Sequence, residues 1–264
     1  MDLFDIRELL ATDPSVLSKL KGDGDFRSEE CIELLKEADI VCTNPPFSLF
    51  REYLAQLVEH DKKFLIVGNK NAITYKETFT LIKENKMWLG MRNVNQDMWL
   101  LLTDRAESYE KIVHEVDSYG QNVPRKSKHI NAIWLTNLEH RKRHERFLPY
   151  KNYTPEEFPK YDNYDAIEVG KVVDIPQDYD GVMGVPITFL DKYNPEQFEI
   201  LGMCENEDLY RLKTRVYTSQ ECKRAYMDKF NKAGTYDLNA SGVLIKNGIR
   251  EKTYARVLIR FRKS

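Results

Sequence analysis

The sequence predicts an α/β fold built on a parallel sheet. Between residues 39 and 89, three strand-like segments alternate with two helix-like segments, and right-handed crossovers make a parallel sheet the expected result. The second segment, at 64–67, is continuously apolar, as in strands covered on both faces. A rigid Asn-Pro-Pro-Phe corner follows the first strand at 44–47, where open α/β sheets place their ligand sites.

The N-terminal part of the chain predicts two helices and the first strand. Residues 2–21 have the composition of a short helix. Ser28 is a good N-cap for a second helix, because two glutamates follow it in the first turn. That helix carries apolar residues at helical spacing, namely Cys31, Leu34, Leu35 and Ala38. A strand is expected at 39–43, leading into the corner at 44–47.

The segments after the corner continue the alternation. Ser48 is expected to cap a helix whose buried stripe comprises Phe50, Tyr53, Leu54, Leu57 and Val58. The strand at 64–67 ends at Gly68-Asn69. Thr74 and Glu77 have the spacing of a capping box, which predicts a helix to Glu84. A short strand is expected at 87–89.

The pattern weakens after residue 90. Strands are predicted at 98–102 and 130–135, the latter antiparallel to 87–89, with a polar excursion at 105–129 between them. The later expectations are a glycine-jointed loop at 181–186, strands at 187–190, 198–201 and 254–261, and partial helix at 205–235. From residue 139 the composition becomes rich in Tyr, Pro, Asp and Lys. We therefore expect a domain boundary there, with a catalytic α/β unit at 1–138 and a recognition region at 139–264.

Composition indicates a globular cytoplasmic protein. Of the 264 residues 42% are hydrophobic, yet no apolar run approaches the ~20 residues of a membrane helix. The N-terminus has no secretion signal, and four widely spaced cysteines are typical of reduced thiols. We expect a monomer with no membrane partner. The net charge of -2 means that nucleic-acid binding must use a local basic patch.

The corner at Asn44, Pro45, Pro46 and Phe47 suits the binding of a planar ring with an exocyclic amine. Asn44 offers a neutral side-chain acceptor, the prolines leave backbone carbonyls free to accept, and Phe47 offers a flat apolar face. The amine of adenine is a poor nucleophile, and acceptors on its N–H groups stabilise its nucleophilic form by roughly 3 kcal/mol per contact. A sulfonium methyl donor held in line would complete a direct displacement. Asn-Pro-Pro is also an ordinary turn sequence, and that alternative stays open.

The densest basic cluster lies at 139–146. Its candidate phosphate contacts are Arg141, Lys142, Arg143 and Arg146, and a solvated helix face is the equal alternative. His140 and His144 have no third ligand nearby, so no metal site is expected. Cys42 is interpreted as a small buried hydrophobe and not as a nucleophile. Packing is the favoured role for most of Tyr150, Tyr153, Tyr161 and Tyr164, with base stacking as the alternative.

Several segments together carry a resemblance to a known family. They are residues 24–79, which include DIVCTNPPF, then 133–145 (IWLTNLEHRKRHE), 161–169 (YDNYDAIEV), 180–202 (DGVMGVPITFLDKYNPEQFEILG) and 254–260 (YARVLIR). On these residues the chain resembles the EcoRI-type family of adenine-specific DNA methyltransferases. Residues 90–129 and 205–250 lie outside the resemblance.

The resemblance implies a class I S-adenosylmethionine-dependent methyltransferase fold, which is Rossmann-like, and N6 of adenine in double-stranded DNA as acceptor. It implies that Asn44 to Phe47 form the catalytic motif of a restriction–modification or phage-defence enzyme. Asp25 and Phe26 match the position that holds the donor's adenine in such enzymes. Asn69 is expected to line the pocket. From the residues alone, Asp25 remains an equally good loop residue and Asn69 a turn residue.

One departure from the family concerns the N-terminus. Family members carry a further segment with the first strand and the loop that holds the donor's methionine part, and this chain starts too late to include it. We therefore expect a sheet without its first strands, with an exposed edge and an open half-pocket. Two rivals follow: a truncated, inactive DNA-binding remnant, and a protein glutamine-N5 methyltransferase, which also uses Asn-Pro-Pro-aromatic.

Overall fold

The computed structural model describes residues 20–96, 98–102, 106–116 and 119–263. The helix predicted at 2–21 falls, except for its last two residues, outside the described residues. The chain divides into two compact units, Met1–Ile66 and Val67–Ser264. The functional boundary near residue 139 stays a prediction. No helix within the described ranges is long and apolar enough to span a bilayer.

Unit 1 has the predicted alternation of helices and strands. Its elements are α1 (Glu29–Glu37), β1 (Ile40–Thr43), a 3₁₀ helix (Phe47–Leu49), α2 (Phe50–Glu59) and the start of β2 (Lys63–Asn69). Ser28 caps α1 as expected, since its hydroxyl accepts from the Cys31 amide at 3.3 Å. β1 and β2 pair in parallel, with Ile40 opposite Lys63. The buried side chains of unit 1 include Phe50, Leu54, Leu57, Phe64 and Ile66.

Three expectations for unit 1 are wrong. Ser48 does not cap α2, because a 3₁₀ turn precedes that helix and Leu49 is its N-cap. The predicted buried stripe of α2 is buried at Phe50, Leu54 and Leu57, but Val58 at its edge is 39% exposed. Cys42 is exposed and not a buried hydrophobe, because β1 is an edge strand.

The first part of unit 2 contains α3 and two groups of strands. The bounds are α3 (Lys76–Lys83), β3 (Trp88–Leu89), β4 (Met98–Leu101), β5 (Lys111–Val116), β6 (Asn122–Ile130) and β7 (Ala132–Thr136). β3 pairs antiparallel with β7, as predicted. The prediction of a capping box at Thr74 is wrong. Thr74 belongs to a 3₁₀ helix over Lys70–Thr74, and its hydroxyl donates to the Asn71 carbonyl at 2.8 Å.

The segment 105–129 is not a simple polar excursion. β5 and β6 form an antiparallel sheet with β4, in the order β4-β6-β5. Most of β5 is exposed, so it lacks the alternation of polar and apolar residues that reveals a half-buried strand.

The rest of unit 2 is a four-stranded sheet with a hairpin and one helix. The bounds are β8 (Ile167–Glu168), β9 (Met183–Pro186), β10 (Phe198–Met203), α4 (Ser219–Phe230), β11 (Val243–Lys246), β12 (Ile249–Lys252) and β13 (Arg256–Phe261). The sheet order is β10-β13-β9-β8, and β11 pairs with β12. The expected loop at 181–186 is mostly strand β9, and the expected strand at 187–190 is a 3₁₀ helix over Ile187–Lys192. The α/β class and the helix within 205–235 are confirmed.

Candidate active site

A cavity of about 650 Å³ lies within unit 1, in the size range of roughly 300–1,000 Å³ typical of small-molecule sites. Its wall combines the loop before α1, the end of β1 with its corner, and residues of α1 and α2. The lining includes Asp25, Phe26, Leu34, Asn44, Tyr53 and Gln56. The apolar face of α1, exposed to solvent, therefore forms part of a cavity wall.

The corner after β1 presents Asn44 to this cavity. Asn44, Pro45 and Pro46 all line it, and Asn44 is an exposed residue. Among the described residues no group hydrogen-bonds the Asn44 side-chain amide. The Pro46 carbonyl accepts from the Leu49 amide at 3.0 Å, which closes the 3₁₀ turn. The Asn44 side chain is thus available to a ligand.

Phe47 and Asn69 lie outside the lining of this cavity. Phe47 begins the 3₁₀ helix directly after Pro46, and its side chain is 45% exposed, so a flat apolar surface remains accessible. Asn69 belongs to unit 2, where its side-chain oxygen accepts from the Asn71 amide at 2.9 Å and caps a 3₁₀ helix. That contact is the one expected of a turn residue. A role for Asn69 in ligand binding stays a prediction.

Asp25 is held in its ionised form by Arg27. The Arg27 Nη2 donates to Asp25 Oδ2 at 2.7 Å, while its Nε and backbone amide donate to Oδ1 at 3.0 and 2.9 Å. These hydrogen bonds lower the pKa of Asp25 to about 2. A carboxylate has about four acceptor positions, so one position on Oδ2 remains for a ligand donor.

Phe26 is fixed from two sides within the cavity wall. Its ring meets the Tyr53 ring edge-on, with centroids 5.0 Å apart and an interplanar angle of 88°. Its carbonyl accepts from Gln56 Nε2 at 3.1 Å. Desolvation also raises the pKa of Tyr53, which keeps that phenol neutral. A held phenyl ring beside an ionised carboxylate suits a purine that carries an amine.

The predicted phosphate contacts divide into two exposed and two buried side chains. Arg141 and Arg146 are exposed. The Arg143 guanidinium is 3.6 Å from the centre of the Trp88 ring, and its Nη2 donates to Asn85 Oδ1 at 3.2 Å. Lys142 Nζ lies 3.4 Å from Asp191 Oδ1, and both side chains are at most 10% exposed. Lys142 and Arg143 therefore have partners inside unit 2, which leaves Arg141 and Arg146 as accessible cations.

The two histidines of the basic cluster have different partners. His140 Nε2 is 2.8 Å from the Leu89 carbonyl. His144 contacts Glu139 at 2.8 Å and Glu196 at 3.1 Å, and these hydrogen bonds raise its pKa. Within the part of the chain that the structure describes, no three His, Cys, Asp or Glu side chains are grouped to hold a metal ion.

Sequence reasoning missed Gln56 and the role of Tyr53 in the cavity. The signal that could have found them is their spacing. The two residues are three apart on α2, so they lie on one side of the helix, and the polar Gln56 interrupts its apolar face.

The four tyrosines have mixed roles. Tyr161 and Tyr164 pack in a core cluster, Tyr153 stacks near Phe158, and Tyr150 is 66% exposed.

The chain is similar to curated Type II methyltransferases. M.EcoRI of Escherichia coli is 53% identical over 204 residues, which are 76% of this chain and 61% of that protein. M.MgeORF184P of Mycoplasma genitalium is 42% identical over 206 residues, 76% of this chain and 63% of that protein. M.MpnI of Mycoplasma pneumoniae is 42% identical over 203 residues, 75% and 62% respectively. The chain thus spans about three-fifths of the length of the curated relatives it matches.

No solved structure matches the chain. The family described as "Adenine-specific methyltransferase EcoRI" matches residues 1–262, nearly the whole chain. The corner at Asn44 and the cavity it lines lie inside that match. The chain therefore belongs to the EcoRI family of adenine-specific methyltransferases.

Proposed function

We propose that this protein transfers a methyl group from S-adenosylmethionine to N6 of adenine in double-stranded DNA, as the modification enzyme of a restriction–modification system. One observation carries the proposal: the Asn44 amide is exposed, has no partner among the described residues, and shares a cavity with Asp25 and Phe26. Membership of the family and the names of the relatives support the same activity.

The acceptor half of the reaction falls to the corner after β1. The Asn44 side-chain oxygen and the Pro45 carbonyl accept hydrogen bonds from N6, which stabilises the developing positive charge on nitrogen during attack. Both acceptors are neutral, so they do not need to lose a proton first. The adenine leaves the DNA stack to reach them, and the exposed Phe47 ring offers a surface for the flipped base.

The donor half falls to the loop before α1. S-adenosylmethionine, when bound, supplies an electrophilic methyl group. The Asp25 carboxylate is ionised and accepts from the donor's adenine amine, and the Phe26 ring covers a face of that purine. This arrangement is that of a class I methyltransferase, in which the end of the strand before the corner faces both ligands.

In this proposal, the two accessible arginines of the basic cluster make part of the contact with DNA. Arg141 and Arg146 bind backbone phosphates, which positions the duplex without reading its sequence. Residues 139–264 supply target recognition in this proposal. The protein acts as a cytoplasmic monomer.

A transfer assay tests the proposal. The protein is incubated with S-adenosylmethionine tritiated in its methyl group and with duplex DNA, and the DNA is digested to nucleosides. We expect the label in N6-methyladenine. Label in glutamine of added protein would support the amide methyltransferase instead, and absence of donor binding by calorimetry would indicate an inactive remnant.

A further inference from the structure

A second cavity, with a volume of about 720 Å³, lies in unit 2 where β10 begins and β13 ends. Three of the side chains that line it are exposed cations, namely Arg146, Arg262 and Lys263. Among the described residues, no carboxylate forms an ion pair with any of the three. We call this cavity with its three cations the cationic groove. Its positive charge is therefore available to a ligand.

Two other charged side chains line the groove, and they contact each other. Glu196 is the one carboxylate among the described lining residues. Its Oε1 is 3.1 Å from His144 Nδ1, and the hydrogen bonds of His144 to Glu139 and Glu196 raise the pKa of the imidazole. Glu196 is thus engaged with His144 and does not neutralise the three cations.

Gln197 holds both of the chain segments that supply the cations. Its side chain accepts from the Phe147 amide at 2.9 Å and donates to the Phe147 carbonyl at 2.7 Å, directly after Arg146. Its backbone carbonyl accepts from the Arg262 amide at 2.9 Å. Arg262 Nε also donates to the Pro195 carbonyl at 2.6 Å, which orients the guanidinium. Because the groove is assembled in advance, less conformational entropy is lost when a ligand binds.

We propose that the cationic groove binds the phosphate backbone of double-stranded DNA, with Arg262 and Lys263 as phosphate contacts beside Arg146. The inference rests on the proposed function and extends its DNA contact from one chain segment to two. A chain with a net charge of -2 needs a local basic surface to bind DNA. Arginine and lysine contacts with phosphates position a duplex and do not read its sequence.

The chemistry of the groove favours a strand of phosphates over an acidic peptide. Peptide and protein partners depend on apolar anchors that fill well-packed pockets. The rings of Phe147 and Phe261 both pack against Phe198, with centroids 6.0 and 4.7 Å from its centroid, so they belong to the core of the protein itself. Leu148 is exposed, but a single apolar side chain forms no pocket. The free cations are therefore what the groove offers to a partner.

The salt dependence of DNA binding tests the inference on the full chain. Fluorescence anisotropy measures the affinity for two duplexes of unrelated sequence over a range of salt concentrations. Lys263→Gln should reduce the slope of log affinity against log salt by about 0.9 in magnitude, because each phosphate contact releases counterions. Adding Arg262→Gln should double this reduction. The losses should be equal for the two duplexes, because these contacts do not read sequence.

Lys232→Gln is the matched control. Lys232 is an exposed lysine of unit 2 that follows α4 and lies outside the groove. The substitution removes the same charge, so an unchanged slope would show that position and not net charge decides the effect. Lys263→Gln leaves the contact between Arg262 and Pro195 intact, so it tests the inference even where the double variant does not fold. Circular dichroism checks the fold of each variant.

The outcomes distinguish the inference from the function on which it rests. DNA binding with a slope that neither groove variant changes overturns the inference and leaves the proposed function standing. Equal changes of slope in Lys263→Gln and Lys232→Gln also overturn the inference. Binding of a polyglutamate peptide in place of DNA would assign the groove to an acidic peptide and overturn the inference. If the wild type neither binds duplex DNA nor labels it in the transfer assay, the proposed function fails, and the inference fails with it.

Discussion

Single residues at the cavity show which chemistry was visible in the sequence. Asn44 was predicted as a ligand contact from its residue type and position, and Asp25 and Phe26 from the family resemblance; all three line one cavity. Gln56 was not predicted, because its position three residues from Tyr53 on α2 indicates a cavity wall only once the corner after β1 and the loop before α1 are in place. For Lys142 and Arg143 the sequence predicted a phosphate contact, but the structure shows a buried side chain. Their partners Asp191 and Trp88 lie about 50 residues away along the chain, so local charge density could not reveal their burial.

The pairing of Asp25 with Arg27 predicts how this carboxylate responds to pH. Its pKa is lowered to about 2 by the Arg27 hydrogen bonds. The stabilisation from this pair is therefore present above the unfolded pKa of about 3.9 and is lost as pH falls through the folded value. Arg27→Gln should raise the Asp25 pKa towards its ordinary value, as measured by carbon-detected NMR titration.

The control for this titration is Arg224→Gln, because Arg224 is highly exposed on α4 in the other compact unit. It should leave the Asp25 titration unchanged. An unaltered Asp25 pKa in the Arg27 variant would show that Arg27 is not what keeps the carboxylate ionised.

Individual helices show why capping patterns are hard to read from sequence alone. Thr74-Tyr75-Lys76-Glu77 and Thr218-Ser219-Gln220-Glu221 share the same pattern, yet only the second forms a capping box. A 3₁₀ turn occupies Thr74 before α3 begins, and no local propensity distinguishes the two sites. Ser28 was predicted correctly because two acidic residues follow it in the first turn of α1.

The cap of α1 provides a prediction at this scale. Ser28→Ala should lower the free energy of unfolding by about 1 kcal/mol, because the Cys31 amide loses its acceptor. Urea denaturation followed by circular dichroism measures this change.

Ser48→Ala is the matched control for the cap, since Ser48 is exposed and Leu49 caps α2 without a side-chain bond. It should change stability by less than about 0.5 kcal/mol. Equal losses in the two variants would argue against a capping role for Ser28.

At the scale of the whole molecule, local alternation was sufficient for the α/β class but not for the later sheets. β9 contains Gly184 and Pro186, which are typical of a loop, and its partner β13 lies more than 70 residues further on. Gly184 fits there because the Tyr161 ring packs against its backbone and leaves no room for a Cβ atom. Such a strand is specified by long-range packing, so the sequence pattern predicted a loop.

The buried residues of α2 and β2 predict how unit 1 responds to a cavity in its core. Leu57 is fully buried, and Leu57→Ala should lower the free energy of unfolding by about 2–5 kcal/mol. Val58→Ala, where the side chain is 39% exposed, should cost far less. Chemical denaturation of the two variants decides this; a similar small loss in both would mean that α2 is not packed as described.

The central claim is that Asn44 stabilises N6 of adenine during methyl transfer and contributes little to ligand binding or to folding. The most direct measurement is the single-turnover rate of methyl transfer by wild-type protein and Asn44→Ala, with DNA and donor affinities measured in parallel. The exposed Asn95→Ala is the control, because Asn95 lies outside the cavity. We predict that Asn44→Ala slows transfer by roughly 10²-fold or more while both affinities stay within about threefold of wild type. An unchanged rate in the folded variant, or a loss confined to binding, would contradict the account.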